Sequence, residues 1–122
     1  MRISLEETLE KTNIMVIDGS MSTALEALGC NLNDSLWTAK ILAEQPDLVH
    51  QVHLGYFRAG ADCGITASYQ ATIPGLTAKG YSRQEAEDCI ARSVELFREA
   101  RESWWAQEGR DSGRARPLCL GA

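Results

Sequence analysis

Apolar positions along the chain follow two patterns, short continuous runs and repeats of three or four residues. Residues 14–17 form a continuous apolar run that ends at Asp18 and Gly19. Such a run is typical of a strand that is covered on both faces in a parallel sheet. Two later runs, at residues 63–67 and 117–121, predict a second and a third strand.

Helix signals lie between these runs. The sequence S-x-x-E occurs at Ser4 and again at Ser82, and each occurrence predicts a helix start by a capping box. We expect the helix that starts after Ser4 to run to about residue 11 and the helix that starts after Ser82 to run to about residue 107. The apolar spacing predicts further helices over residues 20–28, 36–44 and from Pro46 to near Gly60. Loops are predicted at Pro74-Gly75 and over residues 108–116.

The long helix after Ser82 has one apolar face. Its members recur at three- and four-residue spacing, which predicts that they are buried together. They are Ala86, Ile90, Val94, Phe97, Arg101 and Trp104.

The order strand, helices, strand, helix, strand predicts parallel strands joined by right-handed crossovers. A complete (β/α)8 barrel needs eight such units in about 250 residues. This chain has two units and the start of a third. The predicted fold class is therefore α/β, the N-terminal part of a (β/α)8 TIM barrel with about three strands, and residues 1–122 are expected to form one truncated barrel segment.

Composition narrows the class of protein. The chain is 44% hydrophobic and 24% charged, which is typical of a globular domain. Its net charge of -5 argues against a nucleic-acid partner, and no apolar run approaches the roughly 20 residues that span a bilayer. The four cysteines form no C-x-x-C pair and the first ten residues are not a secretory signal. These features favour a cytoplasmic protein with reduced thiols and no membrane contact.

The first candidate site follows the first predicted strand, where ligands bind in parallel α/β folds. Gly19 would let the backbone approach a ligand, and the free N–H groups that open the next helix could hold a carboxylate. Asp18 beside them prefers a cation, so the turn from Asp18 through Gly19 and Ser20 to Met21 suits a zwitterionic amino acid. The alternative is that Asp18 and Ser20 only cap the helix and Gly19 only turns the chain.

The second candidate site follows the second predicted strand. Five of the seven side chains at residues 66–72 can form hydrogen bonds, among them Thr66, Ser68, Tyr69 and Gln70. They would line a polar pocket, although an ordinary solvated loop has the same composition. Because both segments lie at the same end of adjacent parallel strands, we expect them to form one pocket.

Other residues are weaker candidates. His50 and His53 are three apart on a predicted crossover helix, away from the strand ends, and lack the H-E-x-x-H spacing of a metal site. Cys119 is expected in the core. The chain carries none of the glycine-rich nucleotide motifs and no G-x-S-x-G nucleophile motif.

Four stretches together resemble the homocysteine S-methyltransferase family, and the resemblance covers most of residues 13–121. The D-S-L-W and A-S-Y-Q-A-T sequences are similar to the branch that uses S-methylmethionine. The stretches that carry it are residues 17–21, 34–40, 56–62 and 65–72.

The resemblance implies a barrel that binds L-homocysteine at its C-terminal mouth, with zinc on the homocysteine sulfur. The zinc-activated thiolate would attack the methyl group of a sulfonium donor, S-methylmethionine or S-adenosylmethionine, and form methionine. By the same resemblance, the turn from Asp18 to Met21 would hold the amino and carboxylate groups of homocysteine. Residues 66–70 would shape the pocket.

Two departures from the family pattern qualify this expectation. Position 20 is Ser, where relatives usually have Ala. None of the four cysteines matches the family's zinc ligands, which come from later strands. We therefore expect no catalytic residue and no zinc ligand within this segment, and no methyl transfer by the isolated chain. The alternative is a non-catalytic module that binds a small molecule or another protein.

Overall fold

The computed structural model describes residues 3–33, 37–69 and 71–121, with the backbone alone at positions 38 and 39. Six α-helices, a 3-10 turn and two strands occur in this part of the chain. In chain order they are α1 (Leu5–Thr12), α2 (Met21–Ala27), α3 (Trp37–Glu44), α4 (Pro46–Ala59), β1 (Cys63–Ile65), α5 (Ile73–Ala78), α6 (Arg83–Gln107), the 3-10 turn (Gly109–Asp111) and β2 (Leu118–Leu120).

Both predicted capping signals start helices. The Ser4 hydroxyl accepts a hydrogen bond from the Glu7 backbone N–H at 3.2 Å, and α1 follows. At α6 the box is complete, because Ser82 Oγ accepts from the Glu85 N–H and Glu85 Oε1 accepts from the Ser82 N–H, each at 3.0 Å. These local signals are sufficient to place both helix starts.

The sheet is parallel, as predicted. Strand β1 pairs with β2 in a register that sets Gly64 opposite Cys119. On the other side of β1, Ile17 forms a parallel bridge to Cys63, and the Asp62 N–H donates to the Val16 carbonyl at 2.7 Å. The strand order is therefore residues 16–18, β1, β2.

The first predicted strand is shorter than expected. Within residues 14–17 only Ile17 takes part in a bridge, and the Ile14 and Ile17 side chains are 61% and 59% exposed. The prediction assumed that both faces of the run are covered. In the part of the chain that the structure describes they are not.

Helices α4 and α6 pack on each other and carry most of the core. Phe57 on α4 and Phe97 and Trp104 on α6 are almost fully buried and form one aromatic cluster. The predicted face of the long helix is confirmed at Ala86, Phe97 and Trp104, whereas Ile90, Val94 and Arg101 are only partly buried. The face is wider than predicted, because Ser93, Leu96 and Ala100 are buried too. A second cluster joins the first helices to this layer through Leu25, Leu42, Val49, Val52 and Leu96.

The predicted loop at Pro74-Gly75 is wrong, because both residues lie in α5. The Thr72 hydroxyl accepts a hydrogen bond from the Gly75 N–H at 3.1 Å and so caps the helix. Pro74 sits in the first turn, where its missing N–H breaks no bond. Two residues that usually interrupt helices therefore start one.

The charged segment at residues 108–116 is more ordered than a solvated loop. Arg114 donates from Nη1 to the Phe57 carbonyl at 3.1 Å and from Nη2 to the Ala61 carbonyl at 2.8 Å. Its guanidinium also lies 4.9 Å from the centre of the Trp104 ring. Arg114 thus ties the end of α4 to the end of α6, just before β2.

No helix within residues 3–33, 37–69 and 71–121 has the length and apolar character needed to cross a membrane.

Candidate functional site

One cavity of about 710 Å³ opens where residues 18–22 meet residues 65–69. The structure thus brings together the two segments that the sequence placed at neighbouring strand ends. Of the predicted site residues, Asp18, Gly19, Ser20, Met21, Thr66 and Tyr69 line this cavity. The wall also includes Ser22, Trp37, Ile65, Ala67, Leu120 and Gly121.

Asp18 is the carboxylate of the cavity. Its Oδ2 accepts a hydrogen bond from the Ile65 N–H at 3.3 Å, and its own N–H donates to the Cys63 carbonyl at 3.1 Å. Burial raises the pKa of Asp18, while the backbone hydrogen bonds oppose this change. Among the described lining residues there is no Lys, Arg or His, so a cationic group is the natural partner of this carboxylate.

Gly19 lines the cavity and also lies against the Tyr56 ring. A Cβ at this position would lie 2.8 Å from the Tyr56 hydroxyl oxygen and 2.9 Å from Tyr56 Cε1. A side chain at this position would have to displace the Tyr56 ring, which fills the space. The Gly19 backbone is not in the left-handed region that favours glycine.

Ser20 caps α2, as the structural alternative held. Its hydroxyl accepts from the Thr23 N–H at 3.2 Å and lies 3.1 Å from the Ser22 hydroxyl. The Asp18 carboxylate is not part of this cap, since it accepts its hydrogen bond from the Ile65 N–H on the second segment. The turn thus leaves the Asp18 carboxylate facing the cavity.

The second segment supplies the opposite wall. The hydroxyls of Thr66 and Ser68 are 2.7 Å apart and both residues are buried, with Thr66 on the cavity wall and Ser68 outside its lining. Tyr69 is 80% exposed at the rim. Gln70, which the sequence also assigned to this site, lies outside the described residues.

Tyr56 and Trp37 were missed as site residues. The sequence placed Tyr56 on a predicted helix and in a stretch of the family resemblance but not at the site, although its hydroxyl donates to the Ser20 carbonyl at 2.8 Å. The two residues are 36 positions apart. No spacing rule connects such positions, so this contact had no signal in the sequence.

His53 lies in the core rather than at the cavity. It is fully buried, and its ring meets Phe97 at a centroid distance of 4.9 Å. Neither ring nitrogen has a hydrogen-bond partner in the described structure. Burial, with a smaller contribution from His50, lowers its pKa to about 4, so the imidazole is neutral at pH 7.

The residues of the cavity do not fit a zinc ion. Zinc in proteins takes three or four ligands from thiolates, imidazoles and carboxylates. The cavity offers the Asp18 carboxylate alone, and no group of three such side chains occurs anywhere in residues 3–33, 37–69 and 71–121. Burial also raises the pKa of the Cys63 and Cys119 thiols, which disfavours the thiolates that zinc binds.

Comparison with known proteins gives consistent matches. The family model for homocysteine S-methyltransferase matches residues 15–118. The chain is 50% identical over 114 residues to homocysteine S-methyltransferase YbgG of Bacillus subtilis, covering 93% of this chain and 36% of the relative. It is 53% identical over 103 residues to homocysteine S-methyltransferase of Escherichia coli, covering 84% and 33%.

Solved structures give the same result. The homocysteine methyltransferase MmuM of Escherichia coli in its oxidized form superposes with a TM-score of 0.85 at 49% identity, covering 97% of this chain and 39% of that one. Its metallated form gives a TM-score of 0.85 at 50% identity, covering 93% and 38%.

These matches, together with the parallel β/α order, place the chain among the methyltransferases. Within that class it belongs to the homocysteine S-methyltransferase family. The chain spans about a third of the length of the curated relatives it matches.

The family resemblance and the fold class predicted from the sequence are confirmed by these findings. The methyl donor, the zinc and the roles of the individual site residues stay predictions.

Proposed function

We propose that this chain forms the homocysteine-binding wall of a homocysteine S-methyltransferase. The whole enzyme would transfer a methyl group from S-methylmethionine, or from S-adenosylmethionine, to L-homocysteine. The single observation that supports this is the cavity between residues 18–22 and 65–69, two segments that both lie inside the region that the family model matches.

The amino acid end of homocysteine would bind at the first segment. Its ammonium group pairs with the Asp18 carboxylate, which otherwise has only the Ile65 N–H as a partner from the second segment. Its carboxylate is assigned to the backbone N–H groups at the turn that leads into α2. Ser20 contributes through this turn, since its hydroxyl already caps Thr23.

The thiol end of homocysteine would extend along the apolar part of the wall. Met21, Ile65 and Leu120 contribute side chains of low polarity there. Thr66 closes this side, with its hydroxyl held by Ser68 and its N–H bonded to the Leu120 carbonyl at 3.0 Å. Such a wall orients a flexible chain without competing for its sulfur.

The proposed reaction is a displacement at the methyl carbon. The thiolate sulfur of homocysteine, whose proton has been released to solvent, forms a new bond to that carbon while the bond to the donor sulfur breaks, and the electron pair stays on the leaving sulfur. The positively charged sulfonium becomes a neutral thioether, so the leaving group needs no proton. The contribution of this chain is to hold the acceptor in line with the donor.

Zinc on the homocysteine sulfur is implied by the family resemblance and would generate the thiolate in the whole enzyme. The side chains of this cavity do not fit that ion, and no step assigned to them depends on it. We infer that the isolated chain binds homocysteine and does not transfer the methyl group.

Calorimetric titration with L-homocysteine under reducing conditions tests this proposal. Propanethiol, which has the thiol and lacks the amino acid group, is the matched control ligand. Binding of homocysteine without binding of propanethiol is the expected result. Absence of homocysteine binding would contradict the assignment of the cavity and favour a different role, such as a protein-interaction module.

A second experiment tests the expected inactivity. The chain is incubated with homocysteine, S-methylmethionine and a zinc salt, and methionine is measured by mass spectrometry. Methionine should not exceed the amount formed in a sample without protein. Turnover by the purified chain would show that residues 1–122 contain the catalytic groups.

A further inference from the structure

The Tyr56 side chain connects the core of the protein with the turn at the cavity. Tyr56 lies on α4, and its hydroxyl donates to the Ser20 carbonyl at 2.8 Å. Tyr56 does not line the cavity itself. Any effect of this residue on a ligand must therefore pass through the turn.

The ring of Tyr56 is fitted to the backbone of that turn. The space beside Gly19 Cα, where other residues carry a Cβ, is occupied by the hydroxyl and Cε1 of Tyr56. Contact with the ring and the hydrogen bond to the next residue act on the same peptide segment. Together they restrain the turn, since the ring limits the movement of Gly19 and the hydrogen bond fixes the orientation of the Ser20 carbonyl.

The position of Tyr56 is itself fixed by the core. Its carbonyl accepts from the Gly60 N–H at 3.1 Å and from the Ala61 N–H at 2.9 Å, at the end of α4. Its side chain packs against both hydrophobic clusters, the one around Leu25 and Val52 and the one around Phe57 and Phe97. The hydroxyl is thus carried by a side chain that packs against the core.

The bond also decides which groups of the turn remain for a ligand. The Ser20 carbonyl accepts from the Tyr56 hydroxyl and also from the Ala24 N–H at 3.4 Å, so both of its lone pairs are already engaged and it is not a free acceptor for an ammonium group. The Asp18 carboxylate, two residues earlier, is then the acceptor that faces the cavity. Holding the Ser20 peptide also sets the direction of the Met21 N–H, since both belong to one peptide plane.

We propose that Tyr56 is a positioning residue, whose hydroxyl holds the turn of Asp18, Gly19 and Ser20 in the geometry that binds homocysteine. The inference rests on the proposed function for the identity of the ligand. Its structural part, the restraint of the turn, is independent of any ligand.

The first test uses the ligand-free chain and the substitution Tyr56→Phe, which removes the hydroxyl and keeps the ring. The Ser20 carbonyl carbon and the Met21 amide nitrogen should change resonance, and the amides of residues 19–22 should exchange with solvent about fivefold faster. Tyr81→Phe, which removes a hydroxyl outside this cavity, is the control and should leave these signals in place. Unchanged signals in Tyr56→Phe would overturn the proposal.

The second test is a double-mutant cycle on homocysteine affinity. Tyr56→Phe alone should weaken binding about fivefold, and Gly19→Ala alone should weaken it by a similar factor or more because the new Cβ displaces the Tyr56 ring. The double variant should lose clearly less than the product of the two factors. A strictly multiplicative loss would overturn the coupling between these residues.

The two tests distinguish a failure of the proposed function from a failure of the positioning role of Tyr56. If the unsubstituted chain does not bind homocysteine, the proposed function fails, while the resonances and exchange rates still decide the role of Tyr56. If homocysteine binds and Tyr56→Phe binds it equally well, the positioning role fails and the proposed function stands.

Discussion

The Asp18 carboxylate accepts a hydrogen bond from the Ile65 N–H at 3.3 Å, across the two segments that enclose the cavity. This bond joins residues that are 47 positions apart and sets one carboxylate oxygen against the second segment. The carboxylate is partly withdrawn from water, which is why its pKa is raised. This position costs some stability when the carboxyl is ionised, and in the proposed function the same carboxylate binds the ligand.

Asp18→Asn is expected to separate these two effects. The amide oxygen can still accept from Ile65, but the charge that pairs with an ammonium group is lost. Homocysteine affinity should fall about tenfold or more, as for other hydrogen bonds to charged groups. Asp111→Asn, on the exposed 3-10 turn, is the matched control for titration calorimetry and should bind normally.

The stability of Asp18→Asn should be equal to or above that of the unsubstituted chain at pH 7. A carboxyl whose pKa is raised in the folded state opposes folding once it is ionised, so its removal relieves a cost. The same cost disappears in the unsubstituted chain when the pH falls through the raised pKa. Urea unfolding at pH 7 measures this, and a clearly less stable variant would contradict the assignment.

Gly64→Ala and Gly55→Ala should change the stability of the chain in opposite directions. A Cβ at Gly64 would lie 2.5 Å from Phe97 Cε2 and 2.9 Å from Asp18 Oδ2, so Gly64→Ala should destabilise by about 2 kcal/mol and weaken homocysteine binding. A Cβ at Gly55, inside α4, meets no described atom within 4 Å. Gly55→Ala should therefore stabilise by about 0.5–1 kcal/mol. Thermal unfolding of both variants distinguishes crowding from a general effect of adding a methyl group.

His53 is expected to make the chain less stable in mild acid. Its pKa is about 4 in the folded chain and near the ordinary value of 6.5 when unfolded, so the unfolded state takes up the proton first. The free energy of unfolding is therefore highest above pH 6.5, where His53 is neutral in both states, and it decreases as the pH falls towards 4. Relative to His53→Leu, the unsubstituted chain should lose about 2 kcal/mol between pH 7.5 and pH 4.5.

The control for this experiment is His50→Gln. Burial is the main cause of the lowered pKa of His53 and His50 only a smaller one, so the pH dependence should persist in this variant. Urea unfolding at several pH values gives the comparison. A His53→Leu chain with the same pH profile as the unsubstituted one would rule out His53 as the source.

Arg114 is expected to contribute to stability despite its place in a charged segment. It donates to the carbonyls of Phe57 and Ala61, lies over Trp104 and has Asp62 Oδ1 at 3.5 Å. Arg114→Ala should cost about 2–3 kcal/mol, since two carbonyls lose a charged donor. Arg110→Ala, at an exposed position nearby, should change the free energy of unfolding by less than about 0.5 kcal/mol.

The parts of the fold that could be predicted are those with local or periodic causes. The hydroxyls of Ser4 and Ser82 act within three residues, so their helices start where the sequence indicates. The two strand ends at Asp18 and Thr66 follow from the order of strands and helices, because parallel strands end on the same side. Their meeting in one cavity was therefore predictable.

The remaining features depend on contacts between distant positions. Thr72 as a cap and Pro74 in the first turn are local helix-start signals, but Pro-Gly is also typical of a loop, and the sequence does not show that Leu76 packs in the core. The contact between Tyr56 and Ser20 is set by the way α4 packs. The role of Arg114 likewise depends on where α4 and α6 end.

The exposed apolar side chains along the sheet affect how the chain behaves in solution. Val16, Ile17, Ile65 and Leu120, which lie on three neighbouring parallel segments, are each 41–59% exposed. Apolar surface on adjacent segments favours contacts between molecules, and such contacts increase with concentration. The apparent molecular mass in sedimentation should therefore rise with protein concentration. Because Ile65 and Leu120 also belong to the cavity wall, ligand and self-association would compete for the same surface, and homocysteine should shift the chain towards the smaller species.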